Sequence, residues 1–193
     1  MTAPSVLILT ALPHELDAAD APPGIEVVYC GVGKVNAALV ATQAVLERRP
    51  QLVINFGTAG KVDPGHDGLQ EISAVLQRDM LAMPLAPRGV TPLMPADEQP
   101  PRLESGYPGV VCGTGDSFVT AADAWLLEQK VDLVDMELFA IARVCRHFGV
   151  PWRAFKFITD GADDDAAGDW EAKVHLGAEL FWCHLPQVLR QHA

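Results

Sequence analysis

Short, almost unbroken apolar runs separated by helical stretches are what most limits how this chain can fold. VLILTA (6–11), IEVVYC (25–30), LVINF (52–56), ISAVLQ (72–77), VVCGT (110–114), LVDM (133–136) and WRAFKFITD (152–160) read as seven strands. Between them are a short helix near 13–20, a helix opened by GVGKVN (31–36), then TAADAWLLEQK (120–130), ELFAIARVCRHF (137–148) and a C-terminal helix from about Asp169 to Leu189. In the helix after GVGKVN, Val35, Ala38, Leu39, Thr42, Val45 and Leu46 recur at helical spacing and read as its apolar face.

Strands this apolar are buried on both sides, so the pattern predicts one α/β domain over 1–193. Its three αβα layers would enclose a central, mostly parallel or mixed twisted sheet. Ligands of such sheets bind beyond the carboxyl ends of the strands. The polar residues at those ends are His14 and Glu15, Gly31 to Lys34, Thr58 to Lys61, Asp116 to Phe118, Glu137 and Asp160. They are expected to converge on one crevice.

Residues 78–109 interrupt the pattern. They hold seven of the chain's 15 prolines, so neither a long helix nor a central strand fits there. Met80, Leu81, Met83, Leu85, Val90, Leu93 and Met94 make the segment too apolar for a solvated linker, and a lid or subunit interface is expected.

Charge and cysteines narrow the class. A formal net charge of −11 repels phosphate backbones, which argues against a nucleic-acid partner. No apolar run approaches the roughly 20 residues that span a bilayer, and MTAPSVLILTA lacks the basic start of a signal peptide. Cys30, Cys112, Cys145 and Cys183 stand apart, without metal-ligand spacing. A cytoplasmic protein with reduced thiols, no metal and no cofactor is expected.

Three acidic residues bear on chemistry. Glu137 sits among Val134, Met136, Leu138, Phe139 and Ile141, where a charge is costly unless something binds it. Glu15 follows the first strand and also fits a stabilising charge at a helix start. Asp160 ends the last strand before Gly161-Ala162, whereas Asp163 to Asp165 read as a solvated acidic loop or a helix N-terminal cluster. GVGKVN partly matches a dinucleotide fingerprint, but Asn36 replaces the third glycine and the first strand does not precede it. The glycines suit either tight strand-to-helix packing or close approach to a small ligand.

ALPHEL, GVGKVNAA, INFGTAG, GTGDSF, VDMELFAIA and FKFITDGAD together resemble, in order and spacing, the 5′-methylthioadenosine/S-adenosylhomocysteine nucleosidases of the nucleoside phosphorylase–hydrolase superfamily. The resemblance implies a nucleoside phosphorylase-like fold that hydrolyses 5′-substituted adenosines. By it, Glu15 holds and activates the attacking water, and Asp160 protonates adenine N7. Met136 and Glu137 hold the ribose, Phe118 stacks on the purine, and the backbone of Val119 reads the purine edge. Val32, Thr58, Ala59 and Gly60 line the water and ribose side, and Trp170 covers base and sugar. Lys156 matches a basic residue that helps hold the water or an acid, and it is a potential partner for Glu15. The family's homodimer is implied too. Leu85 falls where an aromatic residue usually enters the neighbouring subunit's site.

A phosphorylase needs cations for phosphate, normally arginines. Resembling phosphorylases carry one two residues before the glycine of INFGTAG, where this chain has Asn55, and LPHELDAAD offers Glu15 instead. Water is the expected nucleophile. A phosphorylase and a nucleoside-binding protein without activity remain the alternatives. The chain is short between its first helix and GVGKV and lacks the aromatic near Leu85, so the 5′ substituent stays open.

Overall fold

The structure, a computed structural model, describes residues 5–161 and 173–192 apart from 96, 98, 99 and 122. Eight strands form one mixed sheet: β1 (Val6–Thr10), β2 (Ile25–Tyr29), β3 (Leu52–Lys61), β4 (Leu69–Gln77), β5 (Arg102–Glu104), β6 (Val110–Thr114), β7 (Leu133–Asp135) and β8 (Trp152–Asp160). Among the described residues the α-helices are α1 (Lys34–Arg48), α2 (Ala124–Glu128), α3 (Leu138–Phe148) and α4 (Gly177–His192). Among the described residues, no helix is long and apolar enough to cross a membrane.

Alternation along each strand divides the core. Leu7 and Leu9 of β1, Val53 of β3 and Ala154 of β8 pack with α1 and α3. Val6 and Ile8, Ile54 and Phe56, and Phe155 face Phe181, Leu185 and Val188 of α4. Leu126 of α2 covers a third cluster with Leu76, Val111, Val131 and Val134. The strands are therefore apolar on successive residues because helices cover both faces.

The strand pattern did not disclose that the sheet closes on itself. β1 pairs with β2 and β3, and β3 pairs with β8, all in parallel. β8 runs antiparallel to β4, and β4, β6 and β7 follow in parallel. β7 then returns antiparallel to the far end of β3, with Gly60 opposite Val134. This closure requires β3 to continue past Phe56, where the sequence suggests it ends. Thr58, Ala59 and Gly60 stay in the strand beside β8, with an irregularity at Ala59/Gly60 that aligns Gly60 with Asp160.

Several other expectations are corrected. No α-helix follows β1; a turn leads to a single 3₁₀ turn at Ala18–Asp20. The helix expected over 120–130 is confined to Ala124–Glu128. The proline-rich segment adds an edge strand, β5, antiparallel to β4. The described part of the C-terminal helix starts at Gly177, and residues 169–172 lie outside the described residues. Only part of the stripe expected for α1 is buried: Val45 is buried together with Ala37, Ala41 and Ala44, while Val35, Leu39 and Leu46 are exposed. α1 packs on α3, and small side chains let the two backbones come close.

Cys30, Cys112 and Cys145 are buried free thiols and Cys183 is exposed. Burial pushes the Cys30 and Cys145 thiols up to about 12, which keeps them protonated and unreactive at neutral pH.

Candidate active site

A cavity of about 270 Å³ opens at the carboxyl ends of the parallel strands. Glu15, Val32, Thr58, Ala59, Gly60, Phe118, Val119, Met136, Glu137 and Asp160 all line it, drawn from six separate stretches of sequence. His14, Lys34 and Lys61, also at strand ends, do not line it.

Glu15 is fixed by five donors. Its Oε2 accepts from the Thr10 hydroxyl at 3.2 Å and from the backbone N–H groups of Ala11 and Leu12 at 3.1 Å. Its Oε1 accepts from the Thr58 N–H and hydroxyl, both at 2.9 Å. Charge-assisted bonds of this kind hold a carboxylate in one orientation. The residue is in a turn, not at a helix start, so the helix-charge reading does not apply. Gly57 makes the arrangement possible: a Cβ there would lie 3.2 Å from Glu15 Oε1 and 3.3 Å from Lys156 Nζ.

Lys156 does not line the cavity and its ion pair is not with Glu15. Its Nζ lies 2.7 Å from Asp135 Oδ2, with both side chains sealed from solvent. Burial alone would strip the charge from each. The Asp135 and Glu137 carboxylates instead hold the Lys156 ammonium above its ordinary range, and Lys156 holds Asp135 below the usual carboxylate range.

Asp135 was passed over in the sequence, although a carboxylate closing the strand LVD just before a helix was a signal. Its Oδ1 accepts from the Thr114 hydroxyl at 2.5 Å, and its Oδ2 accepts from Leu138 N–H at 2.9 Å. Asp135 therefore supplies the acceptor at the start of α3. Glu137 occupies the cap position without making a side-chain cap bond.

That leaves the Glu137 carboxylate for the cavity. In this structure its Oε1 accepts from the backbone N–H of Gly33 at 2.9 Å, which joins α3 to the glycine turn before α1. Burial, reinforced by the Asp135 charge, pushes its pKa from 4.5 to about 7. Asp160 is also buried, and its Oδ2 accepts from the Thr159 hydroxyl at 2.9 Å. Phe118 is 50% exposed at the mouth, with a free ring surface on which a planar base can stack.

Arg78, just past the end of β4, is buried and lines the cavity, as Asp135 does, and sequence reasoning missed both. The proline-rich stretch that Arg78 opens directed attention to apolar side chains. Asn55 is buried outside the cavity, and its amide donates to Leu9 O at 2.9 Å. Leu85 is 70% exposed and does not line the cavity, and Trp170 lies outside the described residues. Among the described residues, Asp63, His66 and Asp132 could together hold a metal ion, but none of them lines the cavity.

The model of the phosphorylase superfamily matches residues 24–70 and 66–181 of the chain. The 5′-methylthioadenosine/S-adenosylhomocysteine nucleosidase of Actinobacillus succinogenes is 30% identical over 177 residues, covering 80% of this chain and 76% of that one. Among solved structures, the nucleosidase of Helicobacter pylori, a point mutant with 5′-methylthioadenosine in its active site, superposes with a TM-score of 0.80 at 20% identity. The match covers 96% of this chain and 100% of that chain. The futalosine hydrolase of Helicobacter pylori gives 0.78 at 22% identity over 92% and 93%. The chain belongs to the phosphorylase superfamily and, within it, to the family of the 5′-methylthioadenosine/S-adenosylhomocysteine nucleosidases.

Proposed function

We propose that the chain hydrolyses the N-glycosidic bond of 5′-substituted adenosines, releasing adenine and a free ribose derivative. The observation that carries this reading is the meeting of Glu15, Glu137 and Asp160, with Asp135 a fourth buried carboxylate, around one cavity beside an exposed aromatic ring.

Each carboxylate has a task that its setting suits. Water held between Glu15 and Thr58 adds to C1′ as the C1′–N9 bond breaks and its electron pair passes to the base. Asp160 gives its proton to N7, and Glu15 takes the proton that the water sheds. The sugar passes through an oxocarbenium-like state, as in glycoside hydrolysis, and nearby carboxylates favour that positive charge. Glu137 accepts hydrogen bonds from the ribose hydroxyls, beside Met136. Phe118 stacks on the purine and the Val119 backbone meets its edge. Lys156 acts beneath the site by holding Asp135.

Water rather than phosphate is the nucleophile. An incoming phosphate would meet the Glu15 charge, and the guanidinium of Arg78 already donates to Gly115 and Ser117. The test is adenine release from 5′-methylthioadenosine by the purified protein. Release without phosphate, with free methylthioribose as co-product, is expected. Release only with phosphate, as a sugar 1-phosphate, would sink the hydrolase reading. Relative rates on methylthioadenosine, S-adenosylhomocysteine and 5′-deoxyadenosine then define the 5′ preference.

The working unit in this reading is a homodimer. Exposed Val35, Leu39 and Leu46 on α1 and Leu81, Met83, Leu85 and Leu93 on the proline-rich segment offer apolar surface for a second copy. Leu85 would approach the partner's site.

A further inference from the structure

β4 ends at the cavity, and the next two residues both grip the turn that carries Phe118 and Val119. Arg78 is 5% exposed. It donates from Nη1 to Ser117 Oγ at 3.2 Å, and from Nη2 to Gly115 O at 2.9 Å and to Ser117 O. Asp79 Oδ2 accepts from the Asp116 N–H at 2.9 Å, and Asp79 Oδ1 accepts from Lys34 Nζ. Gly115 keeps room for both grips: a Cβ there would lie 2.9 Å from Arg78 Cζ and from Asp79 Cγ, so these side chains would have to shift.

The grip continues toward the ribose side. Asp116 Oδ1 accepts from the backbone N–H of Lys34 at 2.7 Å, and its Oδ2 lies 3.8 Å from Lys34 Nζ. The preceding residue, Gly33, donates its N–H to Glu137. An unbroken chain of polar contacts thus runs from the Phe118 turn through Asp79, Asp116 and Lys34 to the carboxylate assigned to the ribose. Asp79, Asp116 and Lys34 do not line the cavity, so none of them is placed to touch a ligand there.

We propose that Asp79 and Lys34 are positioning residues that couple base recognition to sugar recognition, so that each half of the substrate strengthens binding of the other. The proposal rests on the nucleosidase reading above. A base stacked on Phe118 fixes the 115–119 turn. That turn fixes the Gly33–Lys34 backbone, and with it the orientation of Glu137. Coupling between two such sites is reciprocal and typically spans about 5–150-fold.

The test uses the two reaction products as separate ligands. The affinity for adenine is measured by calorimetry without and with saturating methylthioribose, in the wild type and in the Asp79→Ala, Lys34→Met and double variants. The double variant removes both members of the Lys34–Asp79 pair, so neither is stranded, and it guards against misfolding of the single ones. Sugar is expected to tighten adenine binding to the wild type by roughly 10-fold. That factor should fall toward 1 in the variants, while adenine alone binds within about 3-fold of wild type. A factor unchanged in the double variant, or a wild type that releases adenine from the nucleoside yet shows no synergy, overturns the coupling and leaves the nucleosidase reading standing. A wild type with neither turnover nor product binding overturns both.

Discussion

Lys156 Nζ and Asp135 Oδ2 lie 2.7 Å apart with both side chains out of reach of solvent. One comes from β8 and the other from the end of β7, strands on opposite sides of β3 where the sheet closes. Asp135 also receives the Thr114 hydroxyl and the first free N–H of α3, so both of its oxygens are engaged. Removing one partner of such a pair strands a buried charge, whereas removing both does not.

Lys156→Met should therefore lower unfolding free energy by about 3–5 kcal/mol in denaturant titration. The double variant Asp135→Asn/Lys156→Met should regain more than half of that loss. Equal losses in single and double variants would mean that the pair does not act as a unit.

Glu137 should make stability depend on pH in an unusual direction for a carboxylate. Its folded pKa of about 7 lies above its ordinary 4.5, because burial and the Asp135 charge disfavour ionisation. The folded protein thus holds this proton more tightly than the unfolded chain. The stabilisation is complete below about 4.5 and is lost as pH rises through about 7. The difference in unfolding free energy between wild type and Glu137→Gln should fall by about 3 kcal/mol from pH 4.5 to 8. A pH-independent difference would contradict it.

Asp160→Asn should abolish proton donation without disturbing the cavity's shape. Adenine release should drop by about 10²–10⁴-fold, the usual contribution of a placed general acid. Affinity for a non-hydrolysable adenosine analogue should stay within a few-fold. Unchanged turnover would remove Asp160 from the acid role. Lost binding would make it a ligand contact instead.

Leu39 on α1 is 59% exposed between the exposed Val35 and Leu46. If this surface meets a second copy, Leu39→Glu places a charge in the apolar contact. The molecular mass from sedimentation should then shift from dimer to monomer. A wild type that sediments as a monomer at micromolar concentration would rule out the dimer.

α1 shows where one-dimensional reading stops. The helix has apolar residues on two faces, and periodicity favoured the larger ones, Val35, Leu39 and Leu46. The close packing of α1 on α3 selected Ala37, Ala41 and Ala44 instead. Which face is buried depends on the space a neighbour leaves, and a hydropathy pattern carries no record of that.

By itself the sequence determined the alternation of buried strands and helices, hence the layered α/β sheet, and it marked Glu15, Glu137 and Asp160 as acids at strand ends. Those are local properties, set by side-chain period and by residue type beside an apolar run. Only the tertiary structure decided that Lys156 serves Asp135 and that Arg78 enters the cavity. It also decided that Glu137 rests on Gly33, 104 residues away. These partners are chosen by strand register and by closure of β7 onto β3. A buried charge takes whichever opposite charge or donor the folded backbone brings within reach, and distance along the chain does not enter.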